Sequence, residues 1–299
     1  MSIAQVDGVQ IAYEVRGEAA APAVLLVMGL GMPAAMWPDE FVQALLDRGF
    51  RVVTFDNRDS GASTRLSGLP VPNIPVAMTR ALMGLRVAAP YTLTDMAIDA
   101  AGVLDAAGIE AAHVVGVSMG GMIAQVLAAL LPQRVLTLTS IMSSSGNPAP
   151  RVALGDARAT RALLRRPPAD PADGEAIVEH LVYVFGVIGS PGYPQDDAAR
   201  RAHLRRVAGC GLYREGTMRQ LGAILASGDR RTMLRNVEAP TLVIHGRSDP
   251  LVPVAAGRDT ARYVRGAQLE IIDGMGHDFP PALMTRIAER VAAHCAVSA

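Results

Sequence analysis

Cysteine is scarce in this chain. Cys210 and Cys295 are the only two in 299 residues, too few and too far apart for a disulfide framework or for a metal or redox motif. Apolar runs of the roughly 20 residues needed to span a membrane are missing as well. The longest, at 21–30, is strand-like and broken by Gly29. The first residues, Met1-Ser2-Ile3-Ala4-Gln5-Val6-Asp7, lack a basic region and an apolar leader, so the expected home is a reducing cytoplasm. Charge of one sign does not dominate: Lys+Arg and Asp+Glu number 28 each. That balance argues against nucleic acid or an anionic membrane as the main partner. No pair among the six histidines has metal-ligand spacing.

Apolar residues, at 50% of the chain, are plentiful, and they fall in a regular order. Alternating segments at 2–6 and 9–15 flank Asp7-Gly8, a two-residue hairpin signal. Continuous apolar strands follow at 23–28 and 51–55, separated by a helix at 38–47 with Phe41, Ala44 and Leu45 on one face. Residues 66–91 form an irregular excursion with a Met/Leu-rich piece at 76–87, long enough to suggest a functional lid or disorder. A helix capped by Thr94 or Asp95 runs to about 107 and stops at Gly108. Strands are expected at 113–117, 135–142, 241–244 and 268–272, and helices at 119–131, 254–264 and 281–294. Between 146 and 230 the alternation stops, and helical patterns at 157–164, 175–187, 196–208 and 215–227 take its place. Alternating strands and helices imply a mostly parallel sheet with helices on both faces. The expected organisation is therefore an α/β core at 1–145 and 231–299, interrupted by a helical cap at 146–230.

One stretch carries chemistry. His113-Val114-Val115-Gly116-Val117-Ser118-Met119-Gly120-Gly121 reads as a buried strand, a tight turn and the start of a helix. This is the nucleophile-elbow pattern. The sharp turn holds a serine hydroxyl clear of the sheet's hydrogen-bond ladder, where a neighbouring base can activate it. Side chains two residues before and after the serine would collide across such a turn, so glycine is needed at both places. The helix that follows aims its N-terminal N–H groups at developing negative charge.

The base is expected late in the chain. His277 lies in Gly274-Met275-Gly276-His277-Asp278, a glycine-rich loop after the strand at 268–272, free to reach across the sheet's end. Asp249, after the strand at 241–244, is the expected acid that orients the imidazole. Asp273 and Asp278 are read as turn or loop solvation, and Asn57, Arg58 and Asp59 as a structural polar network beneath the site. The oxyanion hole requires two backbone N–H groups. Met119, after the serine, is one; Leu30, between Gly29 and Gly31, is the other. Gly29, Met32, Met142 and Val184 are the expected pocket residues. Most of the apolar positions in the helical segment, such as Ile177, Leu181 and Phe185, are expected to pack on each other and on the core.

With these residues in hand, the chain resembles the α/β-hydrolases, in particular the bacterial aclacinomycin methylesterase-like subgroup. The resemblance rests on Val27-Met28-Gly29, Trp37-Pro38-Asp39-Glu40-Phe41, Asp56-Asn57-Arg58-Asp59-Ser60-Gly61-Ala62-Ser63-Thr64, the elbow, Pro240-Thr241-Leu242-Val243-Ile244 and Gly274-Met275-Gly276-His277. It covers most of the core and little of the cap. Where many such chains have His-Gly, this one has Met28-Gly29. What the resemblance implies is ester hydrolysis of a small molecule by the order Ser118, Asp249, His277, without cofactor or metal. A carboxylate nucleophile, as in dehalogenases and epoxide hydrolases, is excluded by Ser118. Carbon–carbon bond hydrolysis and perhydrolysis use the same triad, and a ligand receptor can share the fold; the sequence leaves these alternatives open.

Overall fold

The computed structural model describes residues 1–168, 170 and 173–298. The first two strands, β1 (Ser2–Val6) and β2 (Val9–Arg16), form the expected hairpin. Its turn places Asp7 at φ 45° and Gly8 at φ 82°, both left-handed, as a two-residue turn matching the strand twist requires. Then come β3 (Ala23–Val27), α1 (Asp39–Leu46), β4 (Arg51–Phe55), α2 (Ile74–Leu82), α3 (Leu93–Ala106), β5 (Ala112–Val117), α4 (Met119–Leu130) and β6 (Val135–Ile141). The helical segment contributes α5 (Pro150–Ala153), α6 (Ala157–Leu163), α7 (Gly174–Ile188), α8 (Asp197–Gly209), α9 (Arg214–Ser227) and α10 (Arg231–Leu234). The chain closes with β7 (Thr241–Gly246), α11 (Val254–Tyr263), β8 (Gln268–Ile272) and α12 (Pro281–Cys295).

The eight strands form one sheet in the order β1-β2-β4-β3-β5-β6-β7-β8. Pairings are antiparallel up to β2–β4 and parallel from β4 onward. Side chains of a strand alternate between faces, and β3 shows it. Leu25 and Val27 pack towards α3 and α4, whereas Val24 and Leu26 pack towards α1 and α12. Both faces are thus covered, which explains the unbroken apolar runs. The helical segment has a small core of its own between α7 and α8, built on Ile177, Val178, Leu181, Leu204 and Val207.

Two local expectations need correction. Helix α3 is capped by Thr92, not by Thr94 or Asp95. The Asp95 carboxylate accepts the Thr92 N–H at 2.7 Å, so Asp95 is the third-residue half of a capping box and the true cap lies upstream. The excursion at 66–91 is ordered around α2, which starts at Ile74 rather than 76. Asn73 Oδ1 accepts the Val76 N–H at 3.2 Å, and Pro75 presets the first turn.

A buried ion pair fixes the helical segment to the core. The Arg219 guanidinium on α9 donates to both oxygens of Asp59, at 2.8 and 2.9 Å. Tyr91 Oη donates to the same carboxylate at 2.8 Å, and so does the Leu66 N–H. Burial works to raise the Asp59 pKa, but the bonds from Arg219, Leu66 and Tyr91 outweigh it and hold the carboxyl below its ordinary value. Arg58, beside it, pairs with Asp99 at 2.5 and 2.7 Å, and Asn57 Nδ2 donates to the Met28 carbonyl at 2.9 Å. Asn57, Arg58 and Asp59 do form a polar network under the end of the sheet.

Three histidines lie buried away from the cavity floor: His113 on β5, His294 on α12 and His245 on β7. Burial lowers the pKa of all three, and that of His113, which also faces His294, falls to about 4. Unfolding restores ordinary imidazoles, which take up protons from about pH 6.5 downward. In that window the unfolded chain binds more protons than the folded one, so stability falls as pH falls. Urea denaturation at pH 7 and pH 5 should show a loss on the order of a few kcal/mol; equal midpoints would contradict it.

Candidate active site

Strand β5 delivers Ser118 into a turn of unusual backbone. Ser118 has φ 53° and ψ −120°, a conformation that a non-glycine residue adopts only under compulsion from its surroundings. The compulsion is visible. The Ser118 N–H donates to the Ile141 carbonyl at 2.9 Å, and the Ser118 carbonyl accepts Ser143 Oγ at 2.7 Å. A Cβ on Gly116 would stand 2.2 Å from the Gly120 carbonyl oxygen, and one on Gly120 would stand 2.0 Å from that of Val27. Backbone fills both places, so neither glycine can carry a side chain there.

The structure brings Ser118, Asp249 and His277 together from three parts of the chain. His277 Nε2 lies 3.0 Å from Ser118 Oγ, and His277 Nδ1 lies 2.7 Å from Asp249 Oδ2. The carboxylate can only accept, so Nδ1 carries the proton and Nε2 is free to accept from the serine. The other Asp249 oxygen accepts the N–H groups of Leu251 and Val252 at 2.9 and 2.8 Å, and its side chain is fully buried. His245 Nε2 comes within 3.6 Å of the same carboxylate while bonding to the Val252 carbonyl at 2.8 Å.

Leu30 follows Gly29 in the loop after β3, and Met119 follows Ser118 in the chain. Gly29 lies against Ser118, with its would-be Cβ 3.3 Å from the serine Cβ. Met119 is the first residue of α4, whose opening N–H groups have no intrahelical partner. Among the described residues neither the Leu30 nor the Met119 N–H meets an acceptor. Gly31 differs: its N–H is taken by Gln220 Oε1 of α9 at 2.7 Å.

Asp278 corrects an expectation. It is buried rather than a solvated loop residue. Ser190, just past α7, bonds to its Oδ1, and Gln195 Nε2 donates to its Oδ2 at 2.7 Å. The same Ser190 Oγ accepts the Gly276 N–H at 2.9 Å, and the His277 N–H donates to the Ile188 carbonyl at 2.7 Å. Burial pushes the Asp278 carboxyl up despite these bonds. Asp273, by contrast, is exposed and pairs with Arg247.

Ser118 and His277 open into a cavity of about 340 Å³, in the range of small-molecule sites. Gly29, Met32, Met142 and Val184 all line it. Sequence reasoning reached only part of the methionine that surrounds it, Met32, Met122 and Met142 near strand ends. Met28, Met36, Met78, Met122 and Met218 line it too, so that half of the 14 methionines in the chain face one space. They come from five separate stretches of chain, and apart from Met28, Met32 and Met36 no spacing links them. Thioether side chains are long, unbranched and polarizable, and such a wall adapts to varied apolar shapes.

A family model described as alpha/beta hydrolase fold matches residues 22–168. The chain is 30% identical to rhodomycin D methylesterase DnrP of Streptomyces peucetius, over 96% of this chain and 95% of that protein. This chain belongs to the α/β-hydrolase fold family. Another relative is the putative carbamate hydrolase RutD of Variovorax paradoxus, 31% identical over 89% of this chain and 88% of that one. Among solved structures, the enol-lactonase of Burkholderia xenovorans matches with a TM-score of 0.71 at 24% identity, over 99% of this chain and 100% of that one. The meta-cleavage product hydrolase CumD of Pseudomonas fluorescens matches with a TM-score of 0.75 at 19% identity, over 100% and 98%. These two show the shared α/β-hydrolase fold.

The elbow's lack of clearance gives a paired test. Gly120→Ala should destabilise by about 1–3 kcal/mol through overpacking and lower any hydrolytic activity by more than tenfold. Gly186→Ala on α7 has nothing within 4 Å of the new methyl and should leave stability unchanged or raise it by up to about 1 kcal/mol. Thermal melts with parallel rate assays check both; equal behaviour of the two variants contradicts the reading.

Proposed function

We propose that this chain is a carboxylic ester hydrolase that works through an acyl-enzyme on Ser118. The observation that carries the reading is the continuous line Ser118–His277–Asp249, with contacts of 3.0 and 2.7 Å, opening into an apolar cavity. The substrates are small to medium esters whose apolar part lies among Met32, Met142, Val184 and their neighbours. A named methylesterase among the relatives supports ester chemistry.

His277 Nε2 takes the hydroxyl proton as Ser118 Oγ bonds to the ester carbonyl carbon. The carbonyl oxygen becomes an alkoxide, and the Leu30 and Met119 N–H groups stabilise it. The carbon–oxygen bond to the leaving alcohol breaks as His277 returns the proton to it. Water, deprotonated by His277, then attacks the acyl-enzyme, and the acid leaves with Ser118 restored. Asp249 holds the imidazole in the required tautomer throughout. Residues 146–230 act as a cap that walls the cavity, over a core of 1–145 and 231–299. No helix among the described residues is long and apolar enough to cross a membrane, and we place the enzyme in the cytoplasm.

Hydrolysis of p-nitrophenyl esters from acetate to decanoate is the test. Many turnovers by the parent and at least a 1,000-fold loss in Ser118→Ala, about the effect of removing a triad nucleophile, are expected. Absence of turnover on every ester, or turnover that survives Ser118→Ala, overturns the proposal.

A further inference from the structure

Helix α9 reaches the loop that carries Leu30 through a buried amide. Gln220 has no exposed surface. Its Oε1 accepts the Gly31 N–H at 2.7 Å, and its Nε2 donates to the Arg58 carbonyl at 2.7 Å. The side chain is thus satisfied at both ends and has no slack. Thr217, one turn earlier, stands against the same glycine: a Cβ on Gly31 would meet Thr217 Oγ1 at 2.5 Å. Gly31 itself has φ +67°, a conformation that glycine takes and leaves at little cost.

These facts bear on Leu30. The peptide group between Leu30 and Gly31 is planar, so an acceptor that pins the Gly31 N–H also pins the Leu30 carbonyl, and with it the torsions on either side of that plane, ψ of Leu30 and φ of Gly31. The flanking residues are held differently. Asn57 Nδ2 fixes the Met28 carbonyl at 2.9 Å, and the Met32 N–H reaches the Gly29 carbonyl only at 3.4 Å. Between Met28 and Met32, Gln220 is the one side chain among the described residues that hydrogen-bonds to the loop's backbone. The helix cannot slide either, because the adjacent Arg219 is locked on Asp59.

We infer that Gln220 is a positioning residue for the oxyanion hole: it holds the Leu30–Gly31 peptide so that the Leu30 N–H faces the position the alkoxide will occupy. The cap helix then completes the reaction centre in addition to walling the cavity. This inference rests on the serine-esterase reading. An oxyanion donor acts by being preorganised, and a displacement of about 1 Å is enough to forfeit much of its effect. Without the Gln220 acceptor, the buried Gly31 N–H turns towards another partner, and the mobile glycine carries Leu30 with it.

The test compares the full chain with Gln220→Met, which keeps the volume and removes the amide, and with Gln220→Asn, whose amide is one methylene too short to span both partners. Two ligands separate positioning from general disruption. A trifluoromethyl ketone forms a hemiketal alkoxide on Ser118 and needs the oxyanion hole; the matching secondary alcohol does not. In both variants kcat should fall about tenfold or more, with KM within about twofold. Affinity for the trifluoromethyl ketone should fall by the same factor as kcat/KM, while alcohol binding and the acidic limb of the pH profile stay as in the parent. Folded variants that keep parental kcat and ketone affinity overturn the inference, as does an equal loss for ketone and alcohol. If Gln220→Met does not fold, Gln220→Asn decides alone. Failure of the underlying reading shows earlier, as a parent without Ser118-dependent ester turnover.

Discussion

The contact between Asp59 and Arg219 is the constraint on which the arrangement above the sheet depends. Both side chains are essentially without solvent. Moving two such charges out of water costs several kcal/mol each, and their attraction offsets that only when every remaining donor and acceptor is occupied. Here they are. Arg219 also bonds to Tyr213 Oη and the Leu69 carbonyl, while Asp59 collects Tyr91 and Leu66. The pair therefore joins the loop after β4, the excursion before α3 and the helical segment at one point. Asp59 itself has φ 67°, a conformation that needs such surroundings to persist.

Around that point the helical segment makes polar contacts with the loops that carry Leu30 and His277. Gln220 holds the loop beside Leu30. Ser190 and Gln195 hold Asp278, and the Ile188 carbonyl holds His277. Apolar contacts fix distance well and orientation poorly; hydrogen bonds fix both. A base and an oxyanion donor both depend on orientation, so buried amides and hydroxyls at these two loops do what packing alone would not.

The sheet and the meeting of Ser118, Asp249 and His277 were legible in the chain because their signals are local. Unbroken apolar strands, a serine between Gly116 and Gly120, and a histidine among Gly274 and Gly276 each announce themselves within a dozen residues. The polar face of α9 did not. Arg219 and Asp59 are 160 residues apart, and Gln220 and Gly31 189; nothing near either partner marks the other. Asp278 was misread for the same reason. A carboxylate after a loop histidine looks solvated until the segment past α7, 83 to 88 residues away, is folded over it. The methionine wall was legible only in part because, Met28, Met32 and Met36 aside, it is assembled from side chains that share no spacing.

That wall has a consequence in oxidation chemistry. Each thioether facing the cavity can take up one oxygen from peroxide and become a sulfoxide, which is polar, chiral and stiffer in its demands for hydrogen bonds. Seven such sulfurs line a space of about 340 Å³, so a few conversions would replace an adaptable apolar surface with one that prefers water. The adaptability that lets the cavity take varied apolar shapes is, by the same chemistry, a property that an oxidant removes.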